Sequence, residues 1–297
     1  MSASAEINRR SVTGAVVRQA TAQDADSCAR IFYDAFESIA TQHNFPVEVP
    51  SREFASFIIS DRLSGAGFVG LVAEREGEVV GGAFVDERAA IAGIGPVAVD
   101  PAAMDDGIGR ALMQAALERE RDRRVAGVRL VQTAYHYRSL ALYAKLGFAV
   151  REPLSVLQGS PPAISTPGRG VRAAKEADLA RCSELCVRIH GHDRTRELQD
   201  AIAAGTARVV ERPDGVCGYA TGFGYAWHSV AETNEDLIAL LGSAEEFIGL
   251  GILVPSRNAE LLRWGLEHGL RIAQQSTLMT IGLYNEPAGA YLPSILF

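Results

Sequence analysis

A chain of 297 residues has room for one large domain or two smaller ones. Its 47% hydrophobic and 22% charged content are those of a globular protein that can bury a core without disulfides or metals. The net charge of −7 argues against nucleic acid or an anionic membrane as the main partner, and no apolar run of about 18 residues predicts a membrane span.

Residues 1–14 are small and polar apart from Arg9 and Arg10, and read as a flexible tail, not a signal peptide. A strand is expected at Ala15–Gln19. A helix capped near Thr21, with Asp24 in its first turn, follows and buries Cys28, Ile31, Phe32 and Phe36. A second helix over Ser51–Leu63 shows Phe54, Phe57, Ile58 and Leu63. The strands Phe68–Arg75 and Val79–Asp86 flank Glu76-Gly77-Glu78 as a hairpin. Val97–Val99 is a short β-branched strand, ended by Pro101. Gly107-Ile108-Gly109 then opens a helix with Ile108, Leu112 and Ala116 four apart and Met113 and Leu117 beside them. Backbone N–H groups at such a helix start, together with its dipole, make an anion site that glycines let a phosphate approach. A third glycine at dinucleotide spacing is missing. A strand at Val128–Gln132, a helix at Ser139–Lys145 and a strand at Phe148–Val150 complete this half.

The second half repeats the first. Val17-Arg18 and Asp24 return as Val171-Arg172 and Asp178, Cys28 as Cys182 and Pro101 as Pro255, all at an offset of 154 residues. Glu74-Arg75 and Gly81 return as Glu211-Arg212 and Gly218 at an offset of 137. Matches in a common order indicate an internal duplication. Residues 155–168, rich in Gly, Ser and Pro, read as the linker between the copies.

Two linked stretches resemble the GCN5-related N-acetyltransferase (GNAT) family. The first is Val97-Ala98-Val99-Asp100-Pro101 with Gly107-Ile108-Gly109. The second, some thirty residues on, is Leu142-Tyr143-Ala144-Lys145-Leu146-Gly147-Phe148. The resemblance implies a mixed α/β fold, here as two tandem GNAT-like domains: residues 15–154 catalytic, residues 169–297 degenerate. It implies acetyl transfer from acetyl-CoA to an amine, of a small molecule in our reading, by direct attack. The pyrophosphate would lie on Asp105, Asp106, Gly107, Ile108, Gly109 and Arg110, and the pantetheine beside Val97, Ala98 and Val99. A backbone N–H of that strand would polarise the thioester carbonyl. Tyr143 stands where the family has its general acid, and a phenol near ~10 is close enough to a thiol near ~8.5 for proton transfer. His136 falls where many members have a cofactor-contacting asparagine, and Met104 replaces the usual Gln or Arg. Asp86 and Glu87, ending the second hairpin strand, are the candidate bases; Tyr135, His136 and Tyr137 are further cleft candidates. A non-catalytic acyl-CoA-binding regulatory module is the alternative, and a purely structural pseudo-dimer a third reading.

In the second half Leu261 and Arg263 stand opposite Gly107 and Gly109, placing side chains where phosphates need bare backbone. This half is therefore expected not to bind the cofactor. Leu262, Leu266 and Leu270 still mark an amphipathic helix. His190-Gly191-His192-Asp193 reads as an exposed loop. His228 through Glu235 read as a capped helix start before Leu237. The apolar end Tyr291–Phe297 is expected to be docked, its terminal carboxylate a further candidate base. The four cysteines (Cys28, Cys182, Cys186, Cys217) lack zinc-ligand spacing; they read as reduced thiols of a cytoplasmic protein, with no metal expected. The assembly expected is a monomeric pseudo-dimer or a homodimer.

Overall fold

The computed structural model describes residues 11–12 and 14–295. Most of the expected tail lies outside the described residues, as do Leu296 and Phe297 and with them the candidate terminal base. Within the tail, Ser11–Val12 is a correction: these residues form a short strand, β1, that turns back on Val16 and Ala15. The chain divides into two compact units. One holds the residues up to Glu87 and Ala92–Val128; the other holds Arg88–Ile91 and everything from Arg129 on.

In the first unit β2 (Ala15–Gln19) is followed by α1 (Ala25–His43), which stops where Asn44 takes a left-handed φ of 57°. Asparagine adopts that conformation at little cost. The Ser51 hydroxyl caps α2 (Arg52–Ser64) by accepting the Phe54 N–H at 3.2 Å. β3 (Phe68–Arg75) and β4 (Glu78–Asp86) form the expected hairpin. Its two turn residues, Glu76 at φ 53° and Gly77 at φ 84°, both lie in the left-handed region, as the tightest hairpin turns require. β5 (Ile91–Val99, whose first residue belongs to the other unit) and α3 (Ile108–Arg123) follow. The strands run β1-β2-β3-β4-β5 and are antiparallel throughout. Cys28, Ile31, Phe32 and Ala35 of α1 and Ala55 and Ile59 of α2 pack on Val72, Phe84 and Ala98. The α2 stripe differs from expectation. Ala55 and Ile59 lie at its centre, Phe54 and Ile58 at its edge, and Phe57 is 68% exposed.

In the second unit the elements are β6 (Gly127–Thr133, which crosses the unit boundary), α4 (Tyr137–Lys145), β7 (Ala149–Gln158), β8 (Gly170–Ala173), α5 (Leu179–His190), α6 (Thr195–Ala203), β9 (Arg208–Arg212), β10 (Gly215–Ala220), β11 (Ser229–Ala231), α7 (Asn234–Gly242), β12 (Ile252–Pro255), α8 (Ala259–Glu267), β13 (Arg271–Gly282) and β14 (Ala290–Leu292). One sheet runs β14-β11-β10-β9-β8, every pair antiparallel. Elsewhere β7 lies between β12 and β13, antiparallel to both. Ser155–Gln158, expected to begin the linker, are therefore strand, with Val156 and Leu157 fully buried. β7 ends the first sequence copy, whereas β12 and β13 belong to the second. The compact units and the sequence copies do not coincide, because a strand of one copy is hydrogen-bonded on both edges by strands of the other.

The duplication survives as chemistry. Arg18 binds Asp24 through Nη1 and Nη2 at 2.9 and 2.8 Å, and Glu74 through Nε at 2.7 Å. Arg172 binds Asp178 at 2.7 and 2.8 Å and Glu211 at 2.9 Å through the same nitrogens. In each copy the aspartate also accepts a backbone N–H three residues back, from Thr21 or Lys175.

Candidate functional site

The strand expected to carry the thioester is irregular. Along β4 and β5, Ala83 faces Val97 and Val85 faces Ile94, so Gly95 and Pro96 bulge out. Bulges of this kind re-aim the backbone and are frequent beside active sites. Beyond the bulge, Val97, Ala98 and Val99 pair with Ala83, Gly82 and Gly81. Asp100 then turns the chain. Its N–H bonds the Val80 carbonyl at 2.9 Å, its Oδ1 accepts the Ala102 N–H at 3.0 Å, and its Oδ2 accepts Arg30 Nη1 at 2.9 Å.

Asp105 (φ 74°) and Gly107 (φ 79°) bring the backbone through the left-handed region into α3, whose N-terminus no side chain caps. The leading N–H groups of Ile108, Gly109 and Arg110 have no carbonyl within the helix to bond, and the dipole makes that end attractive to an anion. Gly81 seats the helix: a Cβ there would lie 3.1 Å from Ala98 O, Ile108 Cγ2 and Leu112 Cδ1.

One of the two loop aspartates has its charge met by a cation. Asp106 accepts Arg75 Nη1 at 2.8 Å, while Arg75 Nε and Nη2 are buried with no hydrogen-bond partner among the described residues. A guanidinium with two unspent donors thus stands beside the helix start. Sequence reasoning missed Arg75 because it ends β3, 31 residues from Asp106. Only the hairpin register and the seat of α3 bring them together.

The candidate bases sit differently from one another. Asp86 is 7% exposed and pairs in register with Phe68 and Gly93. Glu87 is held by Arg119, whose Nε donates at 2.5 Å and Nη2 at 3.2 Å; Arg123 Nε lies at 3.4 Å. Burial pushes Glu87 up, but Arg119 and a hydrogen bond with Glu120 outweigh it and hold Glu87 below the usual carboxylate range. Glu120, fully buried on α3, goes the other way: burial, then its bond to Glu87, push it up to about 7. The two carboxyls are thus pushed in opposite directions beside Arg119 and Arg123, an arrangement the sequence gives no sign of.

In the second unit, Tyr143 is half-buried on α4 and packs edge-on against Phe148 at 6.0 Å between ring centres. No hydrogen bond ties its hydroxyl to another described residue, and burial pushes the phenol up to about 12. His136 opens α4: its carbonyl accepts Ser139 Oγ at 2.8 Å and Gln132 Nε2 at 3.0 Å.

At the repeated position, α8 starts unlike α3. Asn258 Oδ1 accepts the Leu261 N–H at 3.2 Å and Leu261 is 1% exposed, so side chains occupy this helix start. The histidine segment is a correction. His190 and His192 are buried, 2% and 6% exposed, with rings 4.8 Å apart. His228 is no part of a helix start either. It is fully buried between Tyr219 OH (2.9 Å) and Glu197 Oε1 (3.1 Å), and Thr233 caps α7 in its place, with Asp236 completing the box. Among the described residues no cluster of three or more His, Cys, Asp or Glu could hold a metal, and no helix is long and apolar enough to cross a membrane.

Comparison with known proteins bears on these features together. No curated protein matches the chain in sequence. The acetyltransferase (GNAT) domain pattern matches residues 66–150, from before β3 into β7. An acetyltransferase-class protein from Pyrococcus horikoshii is 23% identical and similar in structure at a TM-score of 0.72, over 96% of this chain and 95% of its own. A GCN5-related N-acetyltransferase from Sphaerobacter thermophilus is 14% identical at a TM-score of 0.60, covering 92% and 96%. A tandem GNAT protein from the clavulanic acid biosynthesis pathway is 15% identical at 0.56, covering 90% and 98%. The domain match spans the glycine-opened helix start and the tyrosine helix, and the tandem protein extends the likeness of fold across both halves: residues 66–150 match an acetyltransferase (GNAT) domain, and the chain as a whole has the fold of a tandem GNAT protein.

Proposed function

We propose that the protein transfers the acetyl group of acetyl-CoA to the amine of a small molecule, with one catalytic half and one that has lost the cofactor site. The uncapped start of α3 beside the unspent Arg75 donors carries this reading. Those N–H groups and Arg75 would hold the pyrophosphate, and the main chain of Val97–Val99 would align the pantetheine. A neutral amine attacks the thioester carbonyl, the C–N bond forms as the C–S bond breaks, and the thiolate leaves with a proton. Tyr143 supplies that proton: at about 12 its phenol is fully protonated at neutral pH, and its hydroxyl is uncommitted. The same burial that raises the phenol raises a thiol leaving group, which narrows the mismatch. Asp86, directly or through water, takes the proton of the amine; Glu87 is committed to Arg119. The capped start of α8 supports a degenerate second half, and our boundary between the copies falls after Gln158, where β7 ends, in the residues up to 168.

Calorimetric titration with acetyl-CoA tests this on the wild type and on Gly107→Glu. One equivalent bound by the wild type and none by the variant is expected, followed by turnover on a panel of amines that Tyr143→Phe abolishes. Two equivalents would refute the degenerate half, and no binding would refute the reading. The pinning of Glu87 favours one rival, a non-catalytic acyl-CoA sensor. It predicts binding without turnover on any amine.

A further inference from the structure

Buried polar groups that no protein atom satisfies are not spread evenly over this molecule. Three of them, His190 Nδ1, Tyr284 Oη and Tyr291 Oη, gather around Arg129 in the second unit. Arg129 is 1% exposed. Its Nη1 contacts His190 Nε2 at 3.4 Å, and its guanidinium lies 5.3 Å from the centre of the Tyr284 ring. The Tyr291 ring lies 5.4 Å from that of His190.

The chemistry of the unsatisfied atoms follows from these contacts. A guanidinium can only donate, so Nε2 of His190 accepts. Burial, then the neighbouring His192, Arg194 and Arg129, hold His190 well below its ordinary value, so it is neutral and carries its proton on Nδ1. Nδ1–H is therefore a donor, and both phenols have hydrogens to give. All three groups want acceptors. Such donors are unfavourable when buried and left bare, so a bound acceptor is expected to meet them. Arg129 sets a positive charge beside His190, whereas Arg194 is already met by Glu197 through Nε at 2.9 Å and Nη2 at 2.6 Å. Glu152, the carboxylate that opposes ionisation of Tyr291, is already held by Arg257 through Nε at 3.1 and 3.0 Å and Nη2 at 2.6 Å. We propose that the second half binds a small-molecule carboxylate at Arg129, His190, Tyr284 and Tyr291. The carboxylate oxygens accept from His190 and the two phenols, and the tyrosine rings flank the body of the molecule. Tyr284, only half-buried, gives access from solvent. This site is separate from the acetyl-transfer reading and does not depend on it.

The test is a thermal-shift and calorimetric titration of the full chain with acetate, against chloride at equal ionic strength and inorganic phosphate as a second oxyanion. Acetate is expected to raise Tm saturably where chloride does not. Tyr284→Phe and Tyr291→Phe keep the rings and remove one donor each; each is expected to weaken acetate about tenfold while leaving the ligand-free Tm within a few degrees. No saturable effect of acetate or phosphate would show that water fills the space and would overturn the proposal. A response to phosphate alone would overturn the carboxylate assignment. An acetate effect unchanged in the double variant would place binding elsewhere and overturn the site.

Discussion

Arg75 lies 2.8 Å from Asp106 through Nη1, while its other two donor nitrogens are unspent. A part-exposed ion pair of this kind contributes only about 0–1 kcal/mol to stability, so its importance is to the loop. It draws one negative charge away from the start of α3 and sets a cation beside it. Arg75→Met is therefore expected to leave Tm nearly unchanged and to weaken acetyl-CoA by about 10- to 100-fold, the scale of a lost charged hydrogen bond. Asp106→Asn is expected to weaken it little or not at all. Calorimetry at two salt concentrations checks both; equal losses from the two variants would contradict this role for Arg75.

Gly107 and Gly109 are expected to respond in opposite senses to alanine. Gly107 sits at φ 79°, where a Cβ costs about 1–2 kcal/mol, so Gly107→Ala lowers stability. Gly109 is already inside α3, and Gly109→Ala is expected to stabilise the fold by about 0.5–1 kcal/mol while still weakening acetyl-CoA, since the methyl stands among the free N–H groups. Urea unfolding read beside calorimetry separates stability from binding. If Gly109→Ala bound as the wild type does, the phosphate would not approach this turn.

Tyr143→Phe keeps the edge-on contact with Phe148 and loses only the hydroxyl. Its acetyl-CoA affinity and Tm should match the wild type, and kcat should fall by about 10²- to 10⁴-fold, the range of general-acid catalysis. Because the phenol is pushed up to about 12, no loss of activity below pH 10 should trace to its ionisation. The wild-type rate should instead rise with pH as the acceptor amine loses its proton. A wild-type basic limb that disappears in Tyr143→Phe would contradict this.

The duplication was legible in the sequence because it rests on side chains that bond locally. Arg18 with Asp24 and Arg172 with Asp178 are each six residues apart, and the same bonds form in both copies. The glycine-opened helix start was legible for the same reason. What could not be read depends on long-range packing. Arg75 meets Asp106 only through the hairpin register. Nothing in the sequence marks Glu120 among the charges of α3, because its partner Glu87 is 33 residues away, just past the end of β4. His190 and His192 looked like loop residues because a glycine separates them, and α5 in fact carries His190 into the core. The early end of the linker reading was missed because β7 finds both its hydrogen-bonding neighbours about a hundred residues later, in β12 and β13.

The opposite shifts of Glu87 and Glu120 give the molecule a pH dependence of predictable sign. Glu120 is raised from 4.5 to about 7 on folding, chiefly by burial. Between those values the folded chain holds a proton that the unfolded chain has released. The stability this confers is complete below about pH 4.5 and is lost as the pH rises through 7. Glu87 is shifted downward, so its contribution is lost only in acid, in a separate window. Glu120→Gln stays neutral at every pH, and its side-chain oxygen can still accept from Arg123, which contacts Glu120 at 2.6 Å. The variant should match the wild type at pH 5 and exceed it by roughly 1–3 kcal/mol at pH 8.5. Urea denaturation at the two pH values measures the difference. An offset that did not change with pH would mean that Glu120 enters the folded state already charged.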